Sequence, residues 1–523
     1  MVETPQIFKM KGAIFVLIFS VVNYCHGYNI LVMMPMPFYS HTKSYLPLFI
    51  ELANRGHNVT MVSPFPLKKP VPNFNEVVIE NSIEKLGMDQ MDARDFEDSG
   101  FFSKIIGLQL FCPKVIDLTM ESEGLRGFLN DTDSKFDMVI TETFFCQEPF
   151  IALGHKYGAI QVSVVPVALS LSLARVTGNP HNPAYVSSDM SASDQMDFWQ
   201  RSKNALGTVL GHFATHTYWI YMDHYMRQQF KNHTGFDNMP PIVDMFKNIS
   251  LVLLDNHLVV SYPRPYLSNL VEIGGLTITE GDKLDEEWEK YMNESVDGVI
   301  YFSWGSHYPT KHIRPHELTA FMSAFGKLKQ RVLMKADEDT LPGKPDNVRL
   351  AKWLPQASIL GHPNLRAFIS HGGLHGILEG TYHGVPIIGT PLFGDQKGNV
   401  DFCEKAGYCI DVNLNTITEE ILLDAINRVL TNSTYKENAV RRSKIMKDRP
   451  LRVMDNAVYW VEYVLRHRGA PHLRSAAVEL SWYQYLLLDV IVVWGAVLVV
   501  ALLLLRKSIK CICKLRKTKS KKD

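Results

Sequence analysis

The sequence predicts an α/β chain of two doubly wound domains facing each other across a cleft, followed by a single membrane-spanning helix. Three observations carry this reading. The chain has 523 residues, more than one ordinary core holds. Strand and helix signals alternate through both halves, and one long apolar run near the end gives way to a basic tail.

The chain begins with Lys9 and Lys11, an apolar run over residues 12–22 and a polar segment ending at Gly27. A basic, then apolar, then small-residue order describes a signal peptide over residues 1–27. The rival, a buried first strand, is weakened by the good strand that follows at residues 28–34. A strand at 29–34, a loop at 35–41, a helix at 44–55, a turn at Gly56 and His57 and a strand at 58–62 then make a βαβ unit. Such a unit implies a parallel sheet with helices on its faces. A strand at 138–141, a helix at 148–156 and a strand at 161–165 extend it. The aromatic stretch at 101–118 reads as less regular, and it suits an apolar pocket or core packing equally.

A second half begins near Glu272. Its strands are expected at 299–303, 331–335, 348–351, 366–370 and 386–389. Its helices are expected at 315–328, 357–360, 373–383, 399–406, 418–430 and 438–449. The domains are therefore 28–268 and 269–450, with a helix and membrane-proximal segment at 451–485. Ligands of such sheets bind beyond the carboxyl ends of the strands, so the facing edges define the working cleft.

Residues 486–505 are apolar except for Asp489 and Gly495, long enough to cross a bilayer as a helix. Trp482, Tyr483 and Tyr485 precede this run, and Arg506 and Lys507 open a basic tail at 506–523. Aromatic rings favour the interface and basic flanks stay cytosolic, which predicts one span with the body of the chain lumenal. The tail's Lys519, Lys521 and Lys522 look like a lysine-based retrieval signal of the endoplasmic reticulum. Six N-x-S/T sites, at Asn58, Asn130, Asn232, Asn248, Asn293 and Asn432, become eligible for glycosylation with that topology.

Basic and acidic residues balance at 54 each, which gives no reason to expect nucleic acid. Of seven cysteines only Cys112, Cys146, Cys403 and Cys409 fall in the lumenal body. This is not a disulfide scaffold, and the spacings suit no metal.

Residues 353–396 run WLPQASILGHPNLRAFISHGGLHGILEGTYHGVPIIGTPLFGDQ. A buried strand ends at Ser370, His371, Gly372 and Gly373 turn the chain, and a helix starts with its free N–H groups at the strand's end. Such a terminus holds phosphate, and glycines let the backbone approach it. HGG alone is weak evidence. With Gly376, Glu379, Pro386, Pro391, Asp395 and Gln396 at fixed spacing, the segment resembles the signature of the UDP-glycosyltransferase / UDP-glucuronosyltransferase family. The likeness runs from the leader to the tail, whose HLRSAAVELSWYQYLLLDVI looks like that of insect members.

The resemblance implies a GT-B fold, a UDP-sugar donor and roles position by position. Trp353 would stack on uracil, with Gln356 bonding base or ribose. Glu379 would accept from the ribose hydroxyls. His371, the helix terminus and Ser306 would hold the diphosphate, and Asp395 and Gln396 would read the sugar. His41 matches the family's catalytic base, a role that suits a histidine near neutral pH. Its acidic partner, usually aspartate, matches Glu142, with Asp137 as a fallback in the wrong local position. A single displacement would invert the anomeric carbon and needs neither metal nor cofactor, since fixed dipoles can stabilise the departing UDP.

The donor is UDP-glucose or UDP-glucuronic acid, with the insect-like tail favouring glucose. The acceptor is a small lipophilic molecule, and homo-oligomerisation is left open. Rival readings are a non-catalytic lipophile carrier, an enzyme acting on a membrane lipid, and a nucleotide-dependent oxidoreductase. The last is weak because no G-x-G-x-x-G follows the first strand.

Overall fold

A computed structural model describes residues 27–80, 85–86, 94, 101–188, 193–305 and 308–519. The expected leader, Ser306 and the last four residues of the tail lie outside them.

Two parallel sheets organise the chain. The first has seven strands in the order β3-β2-β1-β4-β5-β6-β7. They are β1 (Asn29–Met33), β2 (Asn58–Ser63), β3 (Phe74–Val78), β4 (Met138–Glu142), β5 (Ile160–Val165), β6 (Leu251–Leu254) and β7 (Leu270–Glu272). The second has six, in the order β10-β9-β8-β11-β12-β13. They are β8 (Val299–Ser303), β9 (Arg331–Lys335), β10 (Val348–Ala351), β11 (Leu365–Ser370), β12 (Ile387–Gly389) and β13 (Cys409–Asp411). All pairings are parallel, and the interior strands are buried apolar runs, as a sheet covered on both faces requires. The order reverses beside β1 and beside β8, and both reversals lie at the strands' carboxyl edges, where the expected site residues also sit.

Seven helices matter for the site and its anchoring: α1 (Tyr39–Asn54), α2 (Phe101–Glu121), α3 (Phe198–Phe230), α4 (Leu374–Tyr382), α5 (Gln396–Lys405), α6 (Val453–Arg466) and α7 (Leu488–Lys519). After completing the second sheet the chain returns, and α6 seals the first. Its Ala457, Val458, Val461, Val464 and Leu465 join the core formed by Ile30, Val32, Leu48 and Phe49. Each fully buried Val or Leu contributes about 1.5–3 kcal/mol, so the two halves are bound together well away from the cleft.

Several elements differ from the sequence expectations. His41 lies in the first turn of α1 and not in a loop, because that helix starts at Tyr39 and accommodates Pro47 inside it. The less regular stretch at 101–118 is the long helix α2. The first sheet continues to Glu272, so the boundary expected at 268 falls before its last strand. The helix expected at 148–156 opens as a 3-10 turn over Glu148–Ile151. Four short strands, β3, β6, β7 and β13, were not anticipated. Runs of three to five residues carry too little alternation to separate strand from loop or buried helix.

The 33-residue α3 is also new. It buries Trp219, Met222, Met226 and Phe230 while exposing Trp199, Leu206, Phe213 and Ile220. With apolar residues on both faces, the helical period cancels in the sequence. The C-terminal helix α7 includes a stretch, Leu488–Ile512, long and apolar enough to cross a membrane. It continues to Lys519, so the basic tail is helical well past the expected end of the span at 505.

Candidate active site

The half of the cleft that holds His41 is built around the ends of two strands. Beyond β1 the chain turns directly into α1, which places His41 at the carboxyl edge of the sheet. Glu142 is the last residue of the adjacent β4 and is fully buried. Its Oε1 lies 2.8 Å from His41 Nδ1. Because a carboxylate only accepts, Nδ1 carries the proton and Nε2 is the nitrogen left with a free lone pair. Glu142 Oε2 is buried with no hydrogen-bond partner among the described residues, so the whole demand of that carboxylate falls on the imidazole. Asp137, at the opposite end of β4, binds the backbone N–H of Asn29 and takes no part.

Around His41 stands an aromatic wall. The ring of Phe38 lies 5.2 Å from that of His41 and 5.5 Å from that of Phe145, and Phe111 follows at 6.4 Å from Phe145. Phe145 and Cys146 both take left-handed backbone (φ 52° and 71°), an uncommon conformation for residues with a side chain. A disulfide between Cys146 and Cys112 of α2 holds that turn. Cysteine counting alone did not reveal this bond. It staples the Phe111 side of the wall to the Phe145 side.

Glu148 lies just beyond. Its carboxyl is closed in by protein, and this burial raises its pKa from the usual carboxylate range to about 7, with Glu142 adding to the effect. Tyr218 of α3 donates to its Oε2 at 3.2 Å.

The donor half is formed from β11, α4 and the turn between them. Gly372 has φ +83° and lies so close to Val400 and Gln396 that a Cβ would stand 2.6 Å from Val400 Cγ2. At Gly373 a Cβ would meet His371 Nε2 at 2.4 Å, so the second glycine is required by the ring of His371. Gly305 also lies against that ring, where a Cβ would come within 3.1 Å of its Cε1. His371 thus packs closely on two glycines, with the free N–H groups of the α4 terminus beside it. Gly376 packs against Ser370 on the inner side of α4 and is buried.

Glu379, one turn along α4 from Gly376, accepts from the side-chain amide of Gln356. Tyr301 donates to the carbonyl of the same glutamine at 3.0 Å, fixing its orientation. Trp353 is 68 % exposed, so it is not a core indole and offers a free ring face. Asp395 stands at the N-terminal cap position of α5, and its carboxylate accepts from the side chain of Asn399 at 2.6 Å. Burial raises the pKa of Asp395, opposed by Asn399 and then by the charges of His375 and His41. Asp395 therefore lies within electrostatic reach of His41. Gln396 is buried, and its carbonyl accepts from the backbone N–H of Leu392 and Phe393 at 2.8 and 3.1 Å. This commits half of the side chain to holding the turn. Among the described residues no cluster of three or more metal-ligating side chains occurs.

Two parallel α/β sheets with their carboxyl edges across one cleft, a phosphate-ready helix on one side and a histidine–carboxylate pair on the other, define a glycosyltransferase of the GT-B class. Solved structures agree on the fold. UDP-glucose: anthocyanidin 3-O-glucosyltransferase in complex with UDP superposes with a TM-score of 0.57 at 15% identity, covering 85% of this chain and 100% of that one. The chain belongs to the UDP-glucoronosyl and UDP-glucosyl transferase family, whose sequence profile matches residues 104–523. Among named relatives, UDP-glycosyltransferase UGT5 of Dactylopius coccus is 35% identical over 507 residues, covering 95% of this chain and 94% of that protein. Human UDP-glucuronosyltransferase 1A1 is 34% identical over 495 residues, covering 90% of this chain and 89% of its own length.

Proposed function

We propose that the chain transfers a hexosyl group, glucose or glucuronic acid, from its UDP-sugar to a hydroxyl of a small lipophilic acceptor, with inversion at the anomeric carbon. The single observation behind this is the 2.8 Å contact between His41 Nδ1 and the buried Glu142. It leaves Nε2 as the base that takes the acceptor's proton while the oxygen attacks. Glu142 then holds the ring in that tautomer and stabilises the imidazolium. Trp353, Gln356 and Glu379 bind uridine, His371 and the α4 terminus take the diphosphate, and Asp395 and Gln396 read the sugar hydroxyls. The developing charge on UDP is met by oriented N–H groups. The wall of Phe38, Phe111 and Phe145 suits an apolar acceptor.

The body of the chain is lumenal in the endoplasmic reticulum, with α7 as a single span and its basic end cytosolic. The Cys112–Cys146 bond supports this orientation independently of the flanking charges, since disulfides persist in oxidising compartments. Membranes expressing the chain, given either donor and a panel of phenols, flavonoids and steroids, test the proposal. Conjugates absent with His41→Ala support it, and the donor consumed names the sugar. UDP binding without turnover would favour a lipophile carrier.

A further inference from the structure

A second histidine–carboxylate pair crosses the cleft. His375, in the first turn of α4, belongs to the donor half. Its Nε2 lies 2.8 Å from Oδ2 of Asp255 and 2.8 Å from Oγ of Ser44, both in the acceptor half. Asp255 follows the carboxyl end of β6 and its side chain is 5% exposed. Ser44 is buried on α1, one turn beyond His41.

The proton inventory of this contact is closed. Ser44 Oγ donates to the carbonyl of Ser40 at 2.8 Å, so toward His375 it can only accept. The Asp255 carboxylate also only accepts. Both bonds therefore need a hydrogen on Nε2, and one N–H is shared between two acceptors on the opposite domain. The charged groups around the ring are Asp255, Glu379 of its own helix, Lys43 of α1 and Asp395 of its own half. Burial and Lys43 work against a charged ring. Asp255 and Glu379 outweigh them, and the pKa of His375 lies above the ordinary histidine value.

Among the described residues, two further polar contacts join the halves elsewhere. Arg94 pairs with Glu317 and the carbonyl of His312, and Lys405 reaches Ser193 and Asp194. Neither contact touches α1 or α4. His375 is thus placed to set the distance between the helix that carries the acceptor's base and the helix that receives the donor's diphosphate.

We propose that His375 is a positioning residue, bonded to Asp255 and Ser44 so that donor binding on α4 is transmitted to His41 on α1. The inference rests on the transfer reaction proposed above for its kinetic consequence, but not for its mechanical one. The uridine and ribose contacts lie wholly in the donor half. Losing the bridge should therefore lower kcat and leave donor affinity alone.

The test pairs kinetics with amide hydrogen exchange on the full chain with and without UDP, for wild type, His375→Leu, Asp255→Ala and His375→Gln. In wild type, UDP should protect both α4 and α1 from exchange. In His375→Leu and Asp255→Ala, protection of α4 should persist while that of α1 is lost. In these two variants kcat should fall about 10- to 100-fold, within the range that misplacement of reacting groups produces, with donor KM within about 3-fold. His375→Gln keeps an N–H donor and should recover part of kcat. Undiminished α1 protection in His375→Leu would overturn the proposal. So would a rise in the UDP dissociation constant as large as the loss in kcat, which would make His375 a donor ligand. If wild type turns over neither sugar donor, the transfer reading fails, and the exchange data still decide the bridge.

Discussion

The two halves of the cleft solve different problems with the same sheet topology. On the side of the first sheet the polar groups are paired with each other: Glu142 is fully enclosed, and the partly exposed His41 is bonded to it. On the donor side the features are a helix terminus, glycines that make room for His371, and an exposed Trp353. On the proposed function, one half serves proton transfer and the other recognition. A fixed tautomer must be held by a buried charge, whereas a nucleotide needs open faces and unpaired N–H groups. The contrast predicts that acceptor-side changes act on kcat and donor-side changes on KM.

The largest effect should come from His41→Ala, which removes the base. Turnover should fall by about 10³-fold or more, in line with general-base contributions, with donor KM little changed in initial-rate assays. Glu142→Gln should follow at about 10²-fold. Glu142→Asp should fall between it and wild type, because the shorter arm no longer reaches Nδ1 without strain. If Glu142→Gln alters donor KM and leaves kcat unchanged, the division of labour is wrong. On the donor side, Trp353→Ala should raise the KM for the UDP-sugar by about five- to tenfold, as loss of a stacking contact worth about 1 kcal/mol implies. Its kcat with saturating donor should stay within about twofold.

The smallest effect concerns stability. Glu148 titrates at about 7 in the folded chain against an ordinary value of 4.5. The folded state therefore holds the proton more tightly between those values, and stability falls as pH rises through that window. Glu148→Gln should flatten this dependence and gain on the order of 2 kcal/mol at pH 8, measurable by thermal denaturation at pH 5 and pH 8.

The same contrast governs what the sequence could disclose. The donor half is one contiguous segment in which Trp353, Gln356, His371, Glu379 and Asp395 stand at fixed spacing, and the structure arranges all five around the carboxyl edge of the second sheet. Each acts from its own backbone position, so spacing is enough. The acceptor half is assembled from residues up to hundreds of positions apart. His41 and Glu142 were legible only through the family pattern, since nothing in one sequence says that the ends of β1 and β4 are neighbours. Asp255, Ser44 and His375 were not found at all, because their partnership spans two domains. Glu148 was hidden for another reason: burial shifts its proton affinity, and burial is a property of packing. The helix α3 was missed because its apolar residues point both ways.

The staple between Cys112 and Cys146 has a practical corollary. It closes a ring of 34 residues that contains β4 and Glu142, a restraint worth about 3–4 kcal/mol in the chain-entropy picture. The second sheet has no such bond among the described residues, since Cys403 and Cys409 are free thiols. Through its redox state, the production host therefore acts on one domain only. Made in a reducing bacterial cytosol, the chain would carry a sound nucleotide domain and an untied acceptor domain, so a preparation that passes a UDP-affinity column could still be inactive.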